Sequence, residues 1–155
     1  MRERMTWEDL GTAVEELAGQ IREDGFDPDA VLALARGGLP AAGALAYALG
    51  VKNMATLNVE FYAGVEERLE EPLLLPPVPN LSLLRSERLL VVDDVADTGR
   101  TLALASEFCA QHGPEVRTAV LYEKPQSVVR CDFVWRRTNR WINFPWSAPS
   151  PAAAT

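Results

Sequence analysis

The stretch from Val91 to Leu102 constrains the fold of this chain more than any other. An apolar run ending at Val91-Val92 stops at two adjacent carboxylates, Asp93 and Asp94. A third, Asp97, follows, then Thr98-Gly99-Arg100-Thr101 and a helix-like segment. A short run of apolar residues without alternation suits a strand covered on both faces, as parallel sheets require. A Thr-Gly-x-Thr turn at a helix start adds hydroxyls and backbone N–H groups with no intrahelical partner. Acceptors for hydroxyls, a candidate base and an anion cradle thus fall within one strand-to-helix loop.

The rest of the chain repeats this alternation. Thr6-Trp7-Glu8-Asp9 reads as a capping box, and Leu10, Val14, Leu17 and Ile21 recur at helical spacing. This helix should run to about Asp24 and stop at Gly25, with Asp27-Pro28 as a turn. Val31 to Ala35 is a buried-type strand, broken by Arg36-Gly37-Gly38. Pro40 to Leu49 reads as a helix ended by Gly50, and Met54 to Tyr62 as a second strand. From Ala63 to Glu87 the proline-rich sequence reads as one long connection. Arg88 to Val92 is the third strand, Thr101 to His112 a helix, and Val116 to Tyr122 and Cys131 to Arg136 two further strands. Trp141 to Trp146 is an aromatic cluster, and residues 148–155 read as a disordered tail behind a single domain over 1–147. The expected fold class is α/β: a Rossmann-like twisted, mainly parallel sheet flanked by helices. Ligands in such sheets sit beyond the carboxyl ends of the strands, where Arg36-Gly37-Gly38, Asp93 to Thr101 and Glu123-Lys124 would share a rim.

Composition narrows the function classes. A length of 155 residues suits one domain with a real core. The net charge of -7 offers no basic footprint for nucleic acid. Cys109 and Cys131 form neither a disulfide framework nor a metal-ligand spacing, and read as free thiols of a reducing cytosol. No signal peptide and no membrane-spanning run is visible, so the expected location is the cytoplasm.

The Asp93 to Thr101 loop suits a sugar phosphate. Ionised carboxylates accept hydrogen bonds from a ribose diol, and Gly99 admits a close phosphate. A plainer reading makes Asp97 or Thr98 a helix N-cap beside an incidental acidic pair. A receiver domain also carries an acidic pair after an apolar strand, but in its first strand, and here the pair lies far along the chain. Arg36-Gly37-Gly38 could equally be a common tight turn, and Lys124 a solvated surface charge. Trp141-Ile142 could simply be an apolar patch closing the last strand.

The loop resembles the phosphoribosyl pyrophosphate signature of type I phosphoribosyltransferases, in which two acidic residues and a spacer precede Asp-Thr-Gly-x-Thr. The Trp-Ile-x-x-Pro-Trp stretch is similar to the bacterial xanthine-guanine branch, and the resemblance spans about Val31 to Trp146. It implies that Asp93 and Asp94 face the ribose hydroxyls and lie near Mg²⁺ without directly caging it. It implies Asp97 as general base near the purine N7, and Asp97, Thr98, Gly99, Arg100 and Thr101 around the 5′-phosphate, Arg100 through its backbone. Arg36 and Gly37 would take the pyrophosphate, with Gly38 easing its approach, after a peptide that is often cis in relatives. Lys124 would bond the exocyclic O6, Trp141 would stack on the base, and the backbone at Ile142 would meet its edge, under a small C-terminal hood. The family's Ser-Tyr lid has no match here; Glu60 and Tyr62 are the candidates.

The function the resemblance implies is transfer of a phosphoribosyl group from phosphoribosyl pyrophosphate to a 6-oxopurine, with Mg²⁺ as cofactor. The partners are those two substrates, with no nucleic acid and no membrane, and relatives are commonly dimers or tetramers. Tyr47, Phe61 or the acidic segment around Glu66 to Glu71 would lie at such an interface. A non-catalytic sensor of phosphoribosyl pyrophosphate or a nucleotide is the alternative. A pyrimidine- or orotate-specific enzyme fits Lys124 and Trp141 less well.

Overall fold

The computed structural model describes residues 1–63, 70–80 and 87–147. Along the chain run β1 (Arg2–Arg4), α1 (Trp7–Asp24), β2 (Ala30–Ala35), α2 (Leu39–Leu49), β3 (Met54–Ala63) and β4 (Glu70–Leu75). They are followed by β5 (Arg88–Ala96), α3 (Arg100–Ala110), β6 (Glu115–Glu123), β7 (Phe133–Arg137) and β8 (Trp141–Asn143). Six strands form one sheet in the order β4-β3-β2-β5-β6-β7, parallel except for the antiparallel edge strand β4. The twisted, mainly parallel α/β sheet expected from the sequence is what the chain forms.

The pleat sorts the apolar runs onto two faces. Val31, Ala33, Leu90, Val92, Ala119 and Leu121 pack with Leu17, Ile21 and Leu45 of α1 and α2. Their neighbours Leu32, Leu34, Leu89, Val91 and Val120 pack with Leu102 and Ala105 of α3. Both faces are covered, which is why these strands show no polar alternation. Thr6 caps α1 in a full capping box, with Asp9 N–H donating to Thr6 Oγ1 at 3.0 Å and Thr6 N–H to Asp9 Oδ2 at 2.8 Å.

Several expectations are corrected. Part of the segment read as one long connection is a strand: β4 pairs with β3 from Ala63↔Glu70 to Asn58↔Leu75. Pro72 is tolerated there because β4 is an edge. The third strand does not stop at Val92 but continues through the acidic pair to Ala96, because β6 keeps pairing with it to Ala96↔Glu123. The last main strand begins at Phe133 and not at Cys131. Arg2–Arg4, too short and polar for a periodic signal, pairs in parallel with Trp141–Asn143 and makes the hood a two-stranded unit. Residues 64–69, 81–86 and 148–155, which include most of the acidic segment and the expected tail, lie outside the described residues, as do the side chains of Phe61 and Tyr62.

The order of strands fixes where a ligand can enter. From β2 the chain winds outward through β3 and β4, and from β5 it winds the other way through β6 and β7. The loops leaving β2 and β5 therefore diverge and open a crevice at the carboxyl ends of these neighbours. Leu32, fully buried in β2, is central to this frame. Leu32→Ala should lower the unfolding free energy by about 2–5 kcal/mol, read as a lower urea midpoint with an unchanged m-value.

Candidate active site

The crevice holds three adjoining cavities. The first, about 230 Å³, is lined by Asp93, Val95, Asp97, Thr98, Gly99, Arg100 and Thr101. The second, about 520 Å³, lies among Arg36, Gly37, Asp94, Trp146 and Ser147. The third, about 220 Å³, is bounded by Val95, Asp97, Lys124, Trp141, Ile142 and Phe144. Asp97 and Val95 line both the first and the third. Arg36, Gly37, Asp93, Asp94, Asp97 to Thr101, Lys124, Trp141 and Ile142, singled out from the sequence, thus come together around one crevice, whereas Gly38 and Glu123 line none of the three cavities. Glu60 is exposed on β3 and lines none of the three.

Strand geometry explains the division of labour between the two adjacent carboxylates. Successive side chains of β5 point to opposite sides, so Asp93 serves the first cavity and Asp94 the second. Each is held by the backbone ahead of it: Asp94 N–H donates to Asp93 Oδ1 at 2.8 Å and Val95 N–H to Asp94 Oδ1 at 2.7 Å. Burial pushes the Asp93 carboxyl well above the usual carboxylate range, and the neighbouring Asp94 charge adds to this. Burial also raises Asp94, against hydrogen bonds that favour its charge, one of them from the Trp146 side chain.

The first cavity ends on the start of α3. Gly99 is the N-cap, with φ +79 and no side-chain cap. The plainer reading, with Asp97 or Thr98 as N-cap, is thereby set aside. The Arg100 N–H donates to Thr98 Oγ1 at 3.3 Å, and the residues of this first turn line the cavity, where the helix dipole favours an anion. Only glycine fits, because a Cβ would fall 2.3 Å from Ser127 Oγ.

The peptide entering Arg36 is cis, as the resemblance implied. The glycines after it answer to the protein itself. A Cβ on Gly37 would fall 2.3 Å from Asp94 Oδ2, and one on Gly38 2.5 Å from Val92 O. The β2–α2 turn therefore closes directly over the acidic strand, and Arg36 stays exposed at its edge.

At the third cavity Lys124 is 8 % exposed, and its Nζ donates to Arg140 O at 2.5 Å. Its backbone N–H is tied to Ala96 O at 3.0 Å. Trp141 is 63 % exposed, so its ring has a free face, whereas Ile142 is buried. Phe144 stacks on Trp146 with ring centroids 4.9 Å apart. Glu123, expected at the rim, instead is fully buried: it accepts Cys131 N–H at 2.7 Å and Arg137 Nε at 2.8 Å and anchors the β6–β7 connection. Trp146 and Ser147 also line the crevice, and Gln126 donates to Asp97 Oδ1 at 2.7 Å, none of them singled out from the sequence. Only the position of Trp146 in the aromatic cluster hinted at the first two, and nothing local marks Gln126.

The chain is similar to known proteins over most of its length. The phosphoribosyl transferase domain family matches residues 6–152. A xanthine-guanine phosphoribosyltransferase of Nitratidesulfovibrio vulgaris strain Hildenborough is 31% identical over 146 residues, covering 93% of this chain and 83% of that protein. The crystal structure of a purine phosphoribosyltransferase from Pyrococcus horikoshii superposes with a TM-score of 0.86 at 36% identity, covering 96% of each chain. A hypothetical protein from Neisseria gonorrhoeae, solved with bound ppGpp, gives 0.81 at 27% identity, over 96% of this chain and 91% of that one. The chain belongs to the phosphoribosyl transferase domain family.

The half-buried acidic pair has a thermodynamic signature. A carboxyl raised on folding binds more protons in the native state, so stability is lost as pH climbs from the ordinary carboxylate value, 3.8, through the raised one. Asp93→Asn should therefore raise the melting temperature at pH 7, by roughly 2–4 °C per kcal/mol of relieved cost in a chain of this size. The gain should shrink as pH falls toward 4, where Asp93 is already protonated, and paired thermal melts at the two pH values check this.

Proposed function

We propose that this chain transfers the phosphoribosyl group of phosphoribosyl pyrophosphate to N9 of a 6-oxopurine, giving the nucleoside monophosphate and pyrophosphate. The observation that carries the reading is the meeting of an anion cradle, an acidic pair and a base-sized slot at one carboxylate, Asp97. In this arrangement the 5′-phosphate lies on Thr98, Gly99, Arg100 and Thr101 at the start of α3. The ribose hydroxyls donate to Asp93 and Asp94. The pyrophosphate lies along Gly37 within reach of the Arg36 guanidinium, a planar fork suited to phosphate oxygens. The purine stands between Trp141 and Val95, with its edge on the backbone near Ile142. Lys124 carries donors only, so it selects an acceptor at the six position over an amino group.

In the reaction N9 attacks C1′ while the bond from C1′ to the pyrophosphate oxygen breaks, and Asp97 takes the purine proton. Positive charge grows on the sugar carbon beside the carboxylates, and negative charge grows on the leaving group beside Arg36 and the backbone N–H groups of its turn. Magnesium fits the site as an ion shared with substrate oxygens. Among the described residues no cluster of three acidic, histidine or cysteine side chains could cage it. Asp94, however, lines the cavity of Arg36, and a nearby cation would relieve the repulsion of the raised acidic pair. Asp93 and Asp94 would hold it together with phosphate and hydroxyl oxygens. When bound, it neutralises charge on the departing pyrophosphate.

The alternative, a sensor that binds without turnover, draws support from the ppGpp held by the Neisseria neighbour. The cytoplasm suits the reading, since among the described residues no helix is long and apolar enough to cross a membrane. A homodimer or homotetramer is the assembly proposed. Tyr47, 92 % exposed beside Met54, is the apolar surface that a second copy would cover.

Pyrophosphate release measured with guanine, xanthine, hypoxanthine and adenine in turn tests the assignment. Release with at least one of the first three and none with adenine is expected; tight binding without release for every base supports the sensor. Asp97→Asn should lower kcat about a hundredfold or more with KM values changed only a few-fold. Near-full turnover by that variant would remove Asp97 from the proton transfer.

A further inference from the structure

Three successive residues at the end of β5 are tied to the loop that follows β6. Lys124 N–H donates to Ala96 O at 3.0 Å, and Val128 N–H to Thr98 O at 2.8 Å. Between them the Gln126 side-chain amide donates to Asp97 Oδ1 at 2.7 Å. The outer two bonds are backbone to backbone, so they fix where the loops lie whatever the side chains. The middle one depends on the identity of residue 126. Gln126 and Asp97 are both exposed, so each could be satisfied by water and yet they hold one another. Among the described residues, Gln126 is the side chain that donates to Asp97.

The chemistry of that donor matters. A carboxylate that receives a proton must keep one oxygen aimed at the base. An amide bonded to Oδ1 fixes the rotamer and leaves Oδ2 for the slot bounded by Lys124 and Trp141. It does so without neutralising the charge that attracts the proton, as a lysine or arginine here would. The same short loop also carries Lys124 into the base slot. Movement of the base-holding lysine and orientation of the proton acceptor are therefore coupled through two residues of backbone.

We infer that Gln126 is a positioning residue, whose amide holds Asp97 in the orientation needed to accept the purine proton and links that orientation to the loop holding the base. This rests on the transferase reading. It makes Gln126 act on the chemical step and not on the grip of either substrate.

The test uses the full chain with guanine as acceptor. Gln126→Leu keeps the size of the side chain and removes both donors; as a change at an exposed loop position it should leave the melting temperature unaltered. The expected result is a fall in kcat of about tenfold with both KM values within twofold of the parent. Gln126→Glu, which sets a second carboxylate against Asp97, should fall further. With 8-azaguanine, whose azole proton is more acidic and needs less help to leave, the Gln126→Leu deficit should shrink to less than about threefold, following Brønsted behaviour. A merely structural role would depress both acceptors alike. Unchanged kcat in Gln126→Leu, equal deficits with the two bases, or losses confined to KM would each overturn the inference while leaving the transferase standing. A parent chain inactive with every 6-oxopurine would overturn both.

Discussion

Withdrawing a carboxylate from water is costly, and this fold half-buries two neighbouring ones at the mouth of its sheet. Asp93 and Asp94 stay on the β5 ladder because β6 pairs past them, and the β2–α2 turn closes over them. Gly37 and Gly38 can carry no side chain because the strand occupies that space. Trp146 reaches in from the hood to line the same cavity as Asp94. Each of these features follows from placing the acidic pair where β2 and β5 part. A protein selected only for stability would put apolar residues there, as it does two positions earlier at Val91 and Val92. The retained cost is of the kind that functional sites carry. It is also one that a sugar diol and a divalent cation can offset.

The hood shows how little chain is needed to close the third cavity. β8 has three residues and could not stand alone. It is held by β1 in the register Arg2↔Trp141, Glu3↔Ile142, Arg4↔Asn143, and Met5 N–H then donates to Asn143 O at 3.0 Å. Trp7 at the start of α1 lies 5.7 Å from Trp146, which itself stacks on Phe144. An aromatic chain thus runs from the first helix to the acidic pair. The exposed ring of Trp141 is affordable because its backbone is pinned on one side and Ile142 is buried beneath it.

Legibility in the sequence tracked the range of the interactions. The strands β2, β5 and β6 were readable because a buried parallel strand needs a continuous apolar run, and α1 because its capping box and its period agree. The Asp93 to Thr101 loop was readable because its chemistry is contiguous. Non-local pairings left no local mark. β1 is three polar residues whose partner lies about 140 positions away, and β4 holds a proline, Pro72, that argues against a strand unless its edge position is known. Glu123 looked like a rim charge because burial by Cys131 N–H and Arg137 is a tertiary fact. The mutual support of Gln126 and Asp97 spans the strand β6 and could not be seen from either residue alone.

The same distinction bears on how such a site tells one base from another. Asp97 and Lys124 are side chains at the ends of β5 and β6, positions set by the central sheet, and in the proposed transfer they would address the groups that 6-oxopurines share. The groups at position two, where guanine, xanthine and hypoxanthine differ, would then fall toward the hood. There the available partners are largely backbone, and some are already engaged: Asn143 O by Met5 N–H, and Phe144 O by both the N–H and the Oγ of Ser147 at 3.1 Å. Asn143 O keeps a second lone pair, so its direction and not its presence decides what it can accept. That direction is set by β1, which lines none of the three cavities. On that reading, recognition of the shared part of the base is built into the core of the fold, whereas discrimination within the class would depend on how the amino-terminal strand seats the last one.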